Sequence, residues 1–191
     1  MCGLNSDERQ HDVRAKIDES NCCIISLQET KCDSFDLRLI RKFCPRSFDN
    51  FAYSPFVGAF GGILVVWCSS MFTGTLIESQ CFGLSITFTS VHNAEVWTMV
   101  SVYGPCQGAL RDEFVQWLYD LHIPDGENWL ILGDFNFIRS LDNRNRPGGY
   151  LNDIFLFNEI IGHLGILELP IKGRAYTWSN MQADPLLEQL D

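Results

Sequence analysis

A chain of 191 residues with 46% hydrophobic and 20% charged residues is long enough to bury one sizeable core and too apolar to stay disordered. Its net charge of −10 and pI near 4.7 speak against tight non-specific binding of nucleic acid by this chain alone, which needs a basic surface. The same acidity suits an enzyme whose carboxylates hold a cation.

Eight cysteines are scattered along the chain, with no C-x-x-C pair and no Cys–His cluster at zinc-finger spacing. They read as reduced thiols of an intracellular protein, with a disulfide framework as the weaker reading. The opening MCGLNSDERQ lacks the apolar stretch of a secretory signal. No apolar run approaches the ~20 residues that span a bilayer. The expectation is a soluble protein with no membrane partner and no small-molecule cofactor. No Lys/Arg-rich cluster supplies a nuclear address. Without repeats, low-complexity tracts or linkers, residues 1–191 are expected to form a single domain.

In chain order, Asn5 to Ser20 predicts a helix, with Asn5 as cap and Glu8 three residues on. Cys22 to Leu27 (CCIISL) predicts a buried strand. Phe35, Leu39 and Phe43 recur at helical spacing and stop at Pro45. Strands are predicted over Gly62–Trp67, Thr73–Glu78, Phe82–Ser90 and Glu95–Tyr103, with His92-Asn93-Ala94 as a hairpin turn. Both faces of the last carry apolar residues, so it should be covered on both sides. Leu110 to His122 predicts an amphipathic helix. Trp129 to Leu132 (WLIL) predicts another buried strand, leading into Gly133-Asp134-Phe135-Asn136. A turn-rich loop follows, then a helix marked by Ile154, Phe157, Ile161 and Leu164, and a strand over Tyr176–Asn180. Strands buried on both faces need layers on both sides. Two packed sheets with flanking helices satisfy this pattern, and so does one mixed sheet.

Glu29 follows the CCIISL strand in LQET, where a carboxylate is held rigidly at a sheet edge and suits a hard cation. The alternative is a surface glutamate near a turn. Asp134 and Asn136, two apart, point the same way in an extended chain, with Phe135 turned into the core between them. A carboxylate that activates water beside an amide that holds water or a phosphate oxygen suits phosphodiester hydrolysis. An Asx-type turn at a strand end is the competing reading. Tyr103 ends a strand in SVYGP, where its hydroxyl meets either a phosphate oxygen or water. Arg139, Arg144 and Arg146 form a local basic loop, either facing a DNA backbone or simply solvated. The histidines, His11, His92, His122 and His163, read as surface residues.

The ordered set LQET, SVYGP, GDFN and YTWSN before a terminal Leu-Asp resembles the exonuclease–endonuclease–phosphatase superfamily. Within it the chain is most similar to the endonuclease domain of plant non-LTR (LINE-type) retrotransposons. Phe60-Gly61-Gly62-Ile63-Leu64-Val65-Val66-Trp67 resembles that family's Ser-Gly-Gly segment, with Phe60 replacing Ser. The resemblance implies a four-layer α/β/β/α sandwich, two packed mixed sheets with outer helices, and a DNA-nicking hydrolase using Mg²⁺ or Mn²⁺. It implies a metal held by Glu29 and Asp134, with Asp134 also positioning or deprotonating the water and Asn136 as its partner. It implies Tyr103 on the scissile phosphate and Asp191 as the residue that orients a catalytic His. It also implies DNA as partner and the nucleus as a place of action. Two departures are expected to matter. Only Gly3-Leu4-Asn5 matches the tail of the family's first-strand motif, and the family's Ser-Asp-His strand has no match. The sandwich is therefore expected to be incomplete, and the competing functions are an inactive remnant or a superfamily phosphatase or nuclease with another substrate.

Overall fold

In the computed structural model, which describes residues 3–57, 60–106, 108–169, 173 and 175–190, the chain divides into two units. One is Met1–Tyr103 with Asp125–Gly133, the other Gly104–Pro124 with Asp134–Asp191.

The first unit holds two packed sheets. β1 (Ile24–Leu27), β2 (Asn50–Val57) and β3 (Phe60–Trp67) form one, in the order β1-β3-β2. β3 runs antiparallel to both neighbours, with Ile24 opposite Trp67 and Tyr53 opposite Leu64. β4 (Phe72–Ser79), β5 (Gly83–Ser90), β6 (Val96–Tyr103) and β7 (Trp129–Asp134) follow in that order in the second. The period-2 pattern of β3 explains its place. Ile63, Val65 and Trp67 turn to one side, where they meet Leu84, Ile86, Phe88 and Met99 of the second sheet. Leu64, Val66 and the following Cys68 turn to the other, where they meet Ile17, Ile40 and Phe43. Those come from α1 (Asp7–Ser20) and α2 (Leu37–Phe43), so these two helices cover the first sheet.

A small polar island crosses the inter-sheet core. The Ser26 and Ser101 hydroxyls lie 2.6 Å apart, and Gln28 Nε2 donates to both, at 2.8 and 3.1 Å. Ser101 is fully buried, and burying a hydroxyl is tolerable only because it is bonded. Met99 and Val100, on opposite faces of β6, are both buried, as the two-faced apolar pattern requires.

The second unit contains α3 (Leu110–Tyr119), α4 (Leu151–Leu164) and the short pair β8 (Trp178–Ser179) and β9 (Leu187–Glu188). Its core is aromatic: Phe114 stacks on Phe137 and Phe137 on Phe157, while Phe135 packs tilted against Phe157, with centroids 5.0–6.2 Å apart. Beyond area burial, such pairs contribute about 1 kcal/mol each.

Several expectations need correction. Ser6, not Asn5, caps α1 by accepting from Arg9 N, while Asn5 Nδ2 donates to the Lys31 carbonyl. α3 stops at Tyr119 rather than His122. β2 was not anticipated because Pro55 interrupts it. It lies at the edge of its sheet, where a missing N–H leaves no ladder bond unmade.

Candidate active site

The LQET turn leaves β1 in an unusual conformation. Glu29 and Lys31 both have φ of 53°, a left-handed geometry that side chains adopt only when neighbours hold it. The holders are backbone bonds on either side. Thr30 N donates to the Gly62 carbonyl at 3.0 Å, and Leu4 N donates to the Thr30 carbonyl at 2.9 Å. The Gly3-Leu4-Asn5 tail thus braces the turn that carries Glu29. Glu29 Oε1 meets the Lys31 ammonium at 3.3 Å. The pair is partly exposed, so it is a weak surface ion pair.

Tyr103 ends β6 with its N–H donating to the Phe82 carbonyl at 2.9 Å. The residue is buried, in the cluster that includes Ile63, Val65 and Leu84.

Asp134 and Asn136 lie together in the second unit, but not in the extended chain that spacing alone suggests. Asn136 has φ of 56°, and its N–H donates to Asp134 Oδ1 at 3.1 Å. This is an Asx turn, and it brings the carboxylate and the amide side by side. Phe135 points into the aromatic core between them, as expected. Two further bonds join this turn to the segment after Tyr103. Gly104 N donates to the Asp134 carbonyl at 2.7 Å, and Asn136 Nδ2 donates to the Gly104 carbonyl at 2.8 Å. Because a carbonyl only accepts, the second bond also fixes which amide atom is nitrogen.

Close approach explains the glycines of both motifs. A Cβ on Gly104 would lie 2.5 Å from the Phe135 carbonyl oxygen and 2.6 Å from the Phe114 ring. A Cβ on Gly133 would lie 1.9 Å from the Val102 carbonyl oxygen, and its φ of 142° disfavours any side chain.

Sequence reasoning missed Arg111, which sits eight positions after Tyr103 and reads only as the polar side of an amphipathic helix. Its guanidinium donates to the carbonyls of Pro105 at 2.9 Å, Cys106 at 3.3 Å and Asn136 at 3.2 Å. It is ion-paired with Asp153 at 2.9 Å and lies 3.8 Å from the centre of the Phe137 ring. A cavity of about 540 Å³ opens beside it, lined by Cys106, Arg111, Asn136, Arg144, Asp153 and Glu188 among others.

The basic loop is neutralised. Arg139 pairs with Glu168 at 2.7 Å, Arg144 with Glu188 at 2.6 Å, and Arg146 with Asp184. These ion pairs anchor the loop to the rest of its own unit. All four histidines are exposed, and His163 stacks flat on Tyr119. Asp191 lies outside the described residues. No group of three or more Cys, His, Asp or Glu is arranged to hold a metal among the described residues. The seven described cysteines are free thiols. No described helix is long and apolar enough to cross a membrane.

A search of the curated proteins finds no match. Among solved structures, the chain is similar to the endonuclease domain of TRAS1, a telomere-specific non-LTR retrotransposon. The TM-score is 0.65 at 11% identity, covering 94% of this chain and 75% of that one. It is also similar to the catalytic domain of Xenopus laevis APE2, with TM-score 0.58, 16% identity, and 82% and 65% of the two chains covered. A third likeness is to D. rerio TDP2, solved with a single-strand DNA product, with TM-score 0.52, 14% identity, and 97% and 78% covered. At these identities the likeness establishes the fold. The match that fixes membership is made by sequence and extends over residues 3–186: the chain belongs to the endonuclease/exonuclease/phosphatase family.

Proposed function

We propose that this chain is a metal-dependent phosphodiester hydrolase acting on DNA, of the kind that nicks target DNA for LINE-type retrotransposons. The observation that carries this reading is the Asp134–Asn136 turn, pinned to Gly104 by two hydrogen bonds. A carboxylate and an amide held this rigidly are preorganised for charge that develops on a phosphate.

Asp134 positions the attacking water and takes its proton. Asn136 has one Nδ2 hydrogen committed to Gly104. Its second hydrogen and its amide oxygen remain to hold the water or a phosphate oxygen. The Tyr103 ring is locked in the core, so only the phenol end serves the scissile phosphate. Glu29 and Asp134 are the carboxylates we assign to Mg²⁺ or Mn²⁺. Their oxygens match hard cations, and the Lys31 ammonium on Glu29 stands in for such a charge. When bound, the cation stabilises negative charge on the phosphate and on the leaving oxygen. Asp191 is assigned the supporting role that family resemblance implies.

The test is nicking of supercoiled plasmid with Mg²⁺ or Mn²⁺ against an EDTA control. Nicking that needs the metal and disappears in Asp134→Ala supports the proposal. A second reading, a weakly active or inert relative, is favoured by the neutralised arginine loop and the net charge of −10, which give DNA little reason to remain bound. Equal backgrounds for the native chain and Asp134→Ala, in either metal, would establish that reading instead.

A further inference from the structure

We propose that Arg111 is the positioning residue of this site, holding Asn136 in its left-handed turn so that the amide faces the reacting phosphate. The inference rests on the hydrolase reading for its chemistry, but on geometry alone for the positioning.

Asn136 lies at φ of 56°, a left-handed geometry that asparagine tolerates better than most side chains but that its neighbours must still hold in place. Arg111 acts on it beside the bonds to Asp134 and Gly104. Both Nη atoms donate to the Asn136 carbonyl, each at 3.2 Å. The same guanidinium reaches the Pro105 and Cys106 carbonyls, so one planar group ties the segment after Tyr103 to the segment after Asp134. These are the two segments that the Asn136–Gly104 bond also joins. Asp153 balances the charge at 2.9 Å, and the Phe137 ring fixes the plane from one side. The side chain is only 20% exposed, so its fork is preorganised rather than wandering in solvent.

Lysine cannot reproduce this arrangement. An ammonium is a point charge on a flexible stem and cannot span three carbonyls, a carboxylate and an aromatic face together. Asp153 is coupled to the same function, because without its charge the fork loses its anchor.

The experiment uses the full chain with Arg111→Lys, Arg111→Ala and Asp153→Asn. The first readout is the ¹⁵N side-chain amide signal of Asn136, assigned by its disappearance in Asn136→Asp, together with hydrogen exchange over residues 134–138. The second is Mg²⁺-dependent nicking. Arg111→Ala is expected to shift or broaden the Asn136 signal and accelerate exchange. It is also expected to lower kcat about 10- to 100-fold with KM little changed, and methylguanidinium should restore part of both readouts. Arg111→Lys should behave like Arg111→Ala in the amide signal while retaining its melting temperature. An unchanged Asn136 signal in both Arg111 variants overturns the proposal. So does an activity loss that tracks the melting temperature and resists methylguanidinium. If the native chain does not nick DNA, the hydrolase reading fails, while the amide signal still decides whether Arg111 holds Asn136.

Discussion

Asn136 Nδ2 donates to the Gly104 carbonyl at 2.8 Å, so a residue of the GDFN motif and a residue of the SVYGP motif hold each other. Two motifs separated along the chain are thereby one structural object. Asn136→Asp replaces a donor with a carboxylate that faces a carbonyl and stands beside Asp134. It is expected to lose about 100-fold in nicking rate and to melt lower than the native chain. Asn136→Gly keeps the left-handed backbone at no steric cost, and is expected to lose comparable activity with stability within ~1 kcal/mol. Equal melting temperatures for the Asp and Gly variants would refute this account of the bond.

Gly133→Ala tests the close approach of β7 to β6. A methyl 1.9 Å from the Val102 carbonyl oxygen cannot be accommodated without moving a strand. The expected destabilisation exceeds about 3 kcal/mol, at the upper end of single substitutions. Urea denaturation measures it, and a loss below 1 kcal/mol would show that the two strands yield easily.

Much of this architecture was legible in periodicity. β3, β5 and β6 carry the apolar runs of buried strands, whereas β1 is buried only at Ile25 and β7, expected to be buried, has no fully buried residue; α3 shows its stripe through the buried Phe114 and Leu118. What sequence could not supply was conformation at single residues. The i, i+2 rule for Asp134 and Asn136 assumes an extended chain, and the φ of 56° at Asn136 breaks it. The pair still meets, through an Asx turn rather than through strand alternation. Arg111 was invisible because its partners are mostly backbone carbonyls, which no side-chain pattern encodes. The arginine loop looked basic because Glu168, Glu188 and Asp184, its neutralising partners, are distant in sequence.

The Glu29–Lys31 pair yields a metal prediction. At 28% side-chain exposure for Glu29 and 39% for Lys31 the pair is worth at most ~1 kcal/mol, yet it competes directly with a cation for the carboxylate. Lys31→Ala is expected to tighten Mn²⁺ binding up to about fivefold, and Glu29→Ala to weaken it. Titration calorimetry distinguishes these outcomes. Identical Mn²⁺ affinity in the native chain, Lys31→Ala and Glu29→Ala would remove Glu29 from the metal assignment.

The last prediction concerns alkaline pH. Cys44 follows α2 and is almost fully buried beside Ile40 and Phe43. Burial pushes its thiol up from 9.0 to about 12, against the opposing pull of Arg14 and Arg41. Burial raises the Cys68 and Cys32 thiols as well. A raised pKa in the fold means that the unfolded chain releases its proton first. The stability contribution is therefore fully present below pH 9 and is lost as pH climbs from 9 through about 12. Between pH 9 and 10.5 the loss from Cys44 alone is on the order of 2 kcal/mol. Urea unfolding under reducing conditions at pH 7.5, 9 and 10.5 should show little change over the first interval and a decline over the second. Cys44→Ala sacrifices some packing at every pH, since a buried sulfur is removed, but its decline above pH 9 should be shallower. A variant whose pH dependence parallels that of the native chain would show that the buried thiol is not what links stability to pH in this range.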